Sequence, residues 1–205
     1  MSRSDEKRAA ILDAAVREFS EAGYAAAKMD AIAARAEVSK RTVYNHFESK
    51  EALFQKISER LCSQLAGATE MPYDPERGIR DQLFELAMRH LELVSSEDFM
   101  DMTRVILPER VRNPELAKGE FDRLRRGETG LGRWVQQAMA AGAVREGDWR
   151  SVARKFGAML SEFGFWPQLL GKEDTLDPAA REAVARKVVE LFMRGAIEGA
   201  ATPRD

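Results

Sequence analysis

Apolar residues recur along this chain at intervals of three and four and nowhere alternate one by one, a pattern that predicts an all-α protein. Ile11, Leu12, Ala15, Val16 and Phe19 form the first stripe. Ser4 is its expected N-cap, with Asp5 and Glu6 in the first turn where the helix dipole favours acids, and Gly23 its left-handed stop, behind which Tyr24 can fold back. Two short helical segments follow. Ile32, Ala33 and Ala36 share a face of the first, and the second opens at Ser39, a good capping residue, and runs to Phe47. So short a helix is marginal alone, so it must be held through Val43 and Phe47, leaving the other face free. That face carries Lys40, Arg41, Thr42, Tyr44 and Asn45, donors suited to phosphates and to base edges in a major groove. The pattern over residues 28–47 is that of a helix-turn-helix.

A longer amphipathic helix continues through Leu53, Phe54, Ile57, Leu61 and Leu65, and Gly67 through Glu76, with two prolines and a glycine, marks a boundary. The reading gives an N-terminal three-helix bundle over 5–65 and a larger helical domain over 77–200. In the latter, Ile79 to Val94 define one helix, and Phe99, Met102, Val105 and Ile106 another that is expected to stop or kink before Pro108. Leu116 and Phe121 begin a third region, loosened by Gly127, Gly130 and Gly132, resumed at Leu131, Trp134, Val135 and Met139, and closed by Gly142. Trp149, Val152, Phe156, Leu160 and Phe163 mark the next helix, and Asp177-Pro178 opens the last, with Val184, Val188, Leu191 and Phe192.

Composition narrows the function. The 205 residues carry a net charge of -2, so any nucleic-acid surface has to be local, and residues 28–50 hold five basic side chains (Lys28, Arg35, Lys40, Arg41, Lys50) against three acidic ones. One cysteine, Cys62, and two histidines leave neither an internal disulfide nor a zinc constellation, which points to a reducing cytoplasm and no metal. The N-terminal stretch lacks the apolar run of a signal peptide, and no run of about eighteen apolar residues suggests a membrane span. No phosphate loop, nucleophile elbow or dinucleotide fingerprint is present, so neither an enzyme nor a cofactor is expected.

The order of residues is more specific than their periodicity. Phe19, Gly23 and Tyr24, then Ile32 and Ala33, then Val38-Ser39-Lys40-x-Thr42-Val43-Tyr44-x-His46-Phe47, then Lys50-Glu51-x-Leu53-Phe54, resemble the DNA-binding domain of the TetR family of transcriptional regulators. The resemblance implies that Tyr44, His46 and Lys50 touch phosphates and that Thr42 touches phosphate or base. Three positions depart from the family pattern. Lys28 stands where a capping Thr or Ser is usual, so the ammonium can meet a phosphate but the cap is lost. Glu37 stands where Gly commonly makes the turn, and Arg41 where many relatives carry Gly. Arg41 is the expected base reader, because a guanidinium pairs with both acceptors of a guanine. The candidate DNA-binding set is thus Lys28, Ser39, Lys40, Arg41, Thr42, Tyr44, Asn45, His46 and Lys50.

The second domain is rich in methionine and aromatic side chains, which suit an adaptable apolar pocket. By the same resemblance a small-molecule effector binds there, with Trp134 and Met102 as first candidates, then Phe121, His90 and Phe163. Phe156, Leu160, Phe163, Val188, Leu191 and Phe192, if half satisfied within one chain, would build a homodimer through the last two helices. The expected function is a dimeric repressor released from a palindromic operator by a small apolar effector. An all-helical carrier of apolar ligands is the alternative, and it leaves the exposed Lys40, Arg41, Tyr44 and Lys50 unexplained. A purely architectural DNA protein leaves the second domain unexplained.

Overall fold

The computed structural model describes residues 3–116, 118–144, 147–171 and 175–197, all helix, turn and loop. The helices pack into two compact units, one of residues 1–62 and 97–121, the other of 63–96 and 122–205.

In the first unit α1 (Arg3–Ala22), α2 (Met29–Arg35), α3 (Lys40–His46) and the first part of α4 (Lys50–Ala68) gather around a core in which Ile11, Ala15, Ile32, Val43, Leu53, Phe54 and Ile57 have no exposed surface. Ser4 lies inside α1, so the helix begins before the residue expected to cap it. Gly23 stops α1 in the left-handed conformation (φ 77°), and its N–H donates to the Phe19 carbonyl at 3.0 Å. Tyr24 then folds back edge-on against Phe19 (5.3 Å) and Phe54 (5.0 Å), contacts worth about 0.5–1.5 kcal/mol each beyond simple burial. Arg35 ties α2 to α1 through Glu18 and Glu21, and Arg60 of α4 reaches Asp13 and Asp98.

Helix α6 (Glu97–Arg112) also belongs to this unit and packs on α1, with Phe99, Met102, Val105 and Ile106 buried, although the sequence places it in the second domain. Of the stop or kink expected before Pro108, the stop does not occur: the helix runs through it. Pro108 is exposed, a position where the loss of one helical donor is tolerated. A short helix, α7 (Lys118–Arg125), comes next.

The second unit consists of the end of α4, α5 (Ile79–Val94), α8 (Gly130–Ala140), α9 (Trp149–Gly164), a single turn α10 (Trp166–Leu169), which the periodicity does not reveal, and α11 (Pro178–Phe192). Thr129, Asp148 and Asp177 cap α8, α9 and α11 by accepting from Gly132, Arg150 and Ala180 N–H groups. Helix α11 packs on α5 and α9. Phe156, Leu160, Val188 and Phe192 are all buried there, with the Phe156 and Phe192 rings 4.9 Å apart. The premise that these four are only half satisfied within one chain is therefore wrong: they fill this unit's own core.

Candidate nucleic-acid interface

Helix α3 is short and owes its direction to two anchors. Val43 (0% exposed) and Phe47 (4%) hold its inner side, and Ser39 caps its start by accepting from the Thr42 N–H at 3.0 Å. The Ser39 and Thr42 hydroxyls also share a 2.8 Å hydrogen bond, so both are bound up with forming the helix. The opposite side presents Lys40, Arg41, Tyr44 and Asn45, all exposed.

Of the five cations the sequence offers here, three are engaged. Arg35 is paired with Glu18 and Glu21. Lys40 meets Asp30 at 2.8 Å, which raises its pKa, but both partners are over 60% exposed and such a pair is readily exchanged for a phosphate. The Lys50 ammonium donates to the Ala25 carbonyl (2.9 Å) and lies over the Tyr24 ring (4.8 Å), while the Tyr24 hydroxyl donates to Glu51. Burial, with Glu51 beside it, pushes the Tyr24 phenol up to about 12. Lys28 and Arg41 are exposed and form no ion pair among the described residues. Lys28 occupies the N-cap position of α2 without a side-chain cap, as its chemistry requires.

Glu37 makes the turn between α2 and α3 at φ 52°, the single non-glycine residue with positive φ among those described. That conformation costs a residue with a Cβ on the order of 1 kcal/mol, so Glu37→Gly raises unfolding stability by about 0.5–1 kcal/mol in urea titration if the turn geometry stands. An unchanged or lowered midpoint contradicts it.

The sequence reading missed Arg8. Its guanidinium stacks on the Phe47 ring at 4.9 Å, beside a groove of about 500 Å³ whose walls include Tyr44, Asn45, His46 and Lys56. Only the fold could bring it there, since 39 residues separate it from Phe47 in the chain (47 minus 8). Lys56 is paired with Glu59.

Of the five effector-pocket candidates, Met102 and Phe121 lie in the first unit and His90, Trp134 and Phe163 in the second. Met102 and Trp134 are fully buried, Phe121 is half-buried under the Arg110 guanidinium (4.8 Å), and Phe163 is half-buried under the Lys187 ammonium (4.3 Å). His90 is 9% exposed, its Nε2 has no hydrogen-bond partner, and burial pushes its imidazole down to about 4. Among the described residues no cluster of His, Cys, Asp or Glu could hold a metal, and no helix is long and apolar enough to cross a membrane.

Comparison with known proteins agrees with this geometry. Residues 11–57 match the family described as bacterial regulatory proteins, tetR family, and residues 81–195 match the AefR-like transcriptional repressor, C-terminal domain. The chain is 36% identical over 89 residues to the HTH-type transcriptional repressor SCO4008 of Streptomyces coelicolor, a match covering 42% of this chain and 45% of that protein. It is 30% identical over 150 residues, 68% of each protein, to the HTH-type transcriptional activator FasR of Mycolicibacterium smegmatis. The chain thus spans under half the length of SCO4008 and about two thirds of FasR. A solved TetR family transcriptional regulator from Pseudomonas syringae pv. tomato superimposes with a TM-score of 0.82 at 34% identity, covering 95% of this chain and 97% of the other.

Proposed function

Because the chain belongs to the TetR family of DNA-binding transcriptional regulators, we propose that it works as a homodimer that represses from a palindromic operator and is released by a small, largely apolar effector. The observation that carries the DNA half is the outward face of α3: Lys40, Arg41, Tyr44 and Asn45 on a helix capped by Ser39 and clamped by Val43 and Phe47. In this reading Arg41 reads a base, and Lys28, Lys40, Thr42, Tyr44, His46 and Lys50 meet phosphates. Ser39 and the Lys50 contact to the Ala25 carbonyl hold the frame, and Arg8 adds a phosphate contact from α1. Repression is favoured by the repressor family matched over 81–195.

Two such faces have to be set about one DNA turn apart, roughly 34 Å, which calls for a dimer. With Phe156, Leu160, Val188 and Phe192 consumed inside the chain, the apolar surface left on the last two long helices is a stripe of half-buried Val152, Met159 and Phe163 on α9, and Val184 and Leu191 on α11. Leu191 is 45% exposed in the single chain, and an apolar side chain so exposed supports a partner surface there. Leu191→Glu is therefore tolerated by the chain and rejected by the dimer. In sedimentation the variant runs as a monomer, and its operator affinity at nanomolar protein falls about tenfold or more; a dimer with unchanged affinity contradicts the assignment.

The effector half rests on the second unit. Gln82, Leu86 and His90, spaced by four, share one face of α5, and Gln82 on that face accepts a hydrogen bond from the Trp134 indole at 3.3 Å. The unmatched His90 Nε2, held neutral, is a polar anchor for an otherwise apolar ligand. Trp134 and His90, both in this unit, lead the pocket in this reading. The cytoplasm is the compartment in which such a regulator works.

A further inference from the structure

Helix α4 is one continuous helix from Lys50, in the DNA-reading unit, to Ala68, and the connector from Thr69 to Gly78 is fastened to α5 and α8 at several points. Thr69 is buried, and its hydroxyl accepts the Leu131 N–H at 2.9 Å in the first turn of α8. Gly130 leaves no room for a Cβ against the Thr69 carbonyl, so α8 lies directly on this backbone. The Glu70 carboxylate is paired with Arg133 of α8, and its carbonyl accepts from Arg89 of α5 at 2.9 Å. The Tyr73 N–H donates to Gln137 Oε1 at 2.7 Å, and its ring stands edge-on to Trp134 at 5.6 Å.

Gln82 joins these contacts. It is fully buried, and its Oε1 accepts from both the Asp74 N–H (2.9 Å) and the Trp134 indole N–H (3.3 Å). Its Nε2 donates to the Asp74 carbonyl (2.8 Å) and the Arg77 carbonyl (3.0 Å). A buried amide is satisfied only while all of its partners stay in place. The connector after α4 and the Trp134 ring are thus tied to one side chain.

We infer that Gln82 is the positioning residue through which the orientation of Trp134 sets the end of α4, making the Trp134–Gln82–Asp74 chain the route between the effector domain and the DNA-reading unit. A ligand that turns the indole takes its N–H from Gln82 and its face from Tyr73, and the segment anchoring α4 shifts with them. The inference rests on the proposed regulator reading, and reciprocity provides a test without a known effector. If Trp134 moves α4, operator binding, which fixes α4, changes the surroundings of Trp134.

The sequence has three tryptophans, so Trp149→Phe with Trp166→Phe leaves Trp134 as the sole emitter. Labelled operator DNA then reports binding by anisotropy while Trp134 emission reports its surroundings. The expected result is an emission shift at saturation in this parent, and, in Gln82→Leu, loss of the shift with about tenfold weaker binding. Gln137→Ala, at an exposed position, gives a smaller loss of both in a protein whose fold is not at stake. Unchanged emission in a parent that binds the operator overturns the inference and leaves the regulator reading standing, as do folded Gln82→Leu and Gln137→Ala proteins that keep both affinity and shift. A parent that binds no operator in the anisotropy channel overturns both.

Discussion

Arg41→Ala lowers affinity for the cognate operator by about ten- to a hundredfold, on the order of 1–3 kcal/mol, while binding to unrelated DNA changes little. The asymmetry comes from the position of the side chain. Arg41 is exposed in the first turn of α3, on the side opposite the Val43 and Phe47 anchors, and no carboxylate among the described residues competes for it. In the proposed reading a guanidinium so placed pairs with both acceptors of a guanine, and its removal costs the discrimination those two bonds supply. Lys40→Ala serves as the comparison. Its ammonium is already shared with Asp30 and makes a single-point contact, so its loss weakens all sequences alike and lowers the salt slope by about one. The assay is anisotropy on the operator and on variants substituted one base pair at a time. A uniform loss across all of them for Arg41→Ala refutes base reading.

The second large effect is on stability against pH. Burial pushes His90 down to about 4 in the folded chain, whereas an unfolded histidine titrates near 6.5. Between these values the unfolded chain binds a proton that the folded chain does not, so unfolding becomes easier as pH falls. The contribution is fully present above about pH 6.5 and is lost progressively towards pH 4, on the order of 3 kcal/mol in all. Glu51, Glu85, Glu128 and Asp148, held below the usual carboxylate range by hydrogen bonds and cations, also lose stability in acid, but they do so equally in a His90 variant. The measurement is therefore a difference. Urea unfolding of the wild type and of His90→Gln at pH 7.5 and 4.5 is expected to show the wild type losing about 2–3 kcal/mol more. Parallel losses contradict a neutral buried imidazole, and with it the anchor assigned to the effector site.

What could be read from the sequence was local. The α1 stripe with its Gly23 stop and the Ser39 cap depend on neighbours within a few residues, and the structure has both; the missing cap at Lys28 and the turn at Glu37 were legible only against the family pattern, and the structure has these too. Tertiary choices were less legible. Periodicity states that Phe99, Met102, Val105 and Ile106 face a core but not which core, and α6 joins α1 in the first unit. Phe156, Leu160, Val188 and Phe192 look the same on a helical wheel whether they serve a monomer or a dimer. Their burial puts these four in the core of the second unit, while Leu191 stays exposed. Pro108 signals a stop or a kink, and the stop does not occur, because the cost of proline in a helix depends on what its side faces. Arg8 and Gln82 carry no local signal, since their roles arise from contacts with Phe47 and Trp134, far away in sequence.

The central claim, a site-specific DNA-binding dimer, is tested most directly by incubating the purified protein with sheared DNA from its source genome and sequencing the retained fragments. The account predicts a few recurrent fragments sharing a palindrome whose half-sites lie about one helical turn apart, retained in the presence of excess competitor DNA and lost in Arg41→Ala. Uniform retention of all fragments, or of none, contradicts it and moves the second unit, as a carrier of apolar ligands, to the centre of the protein's function.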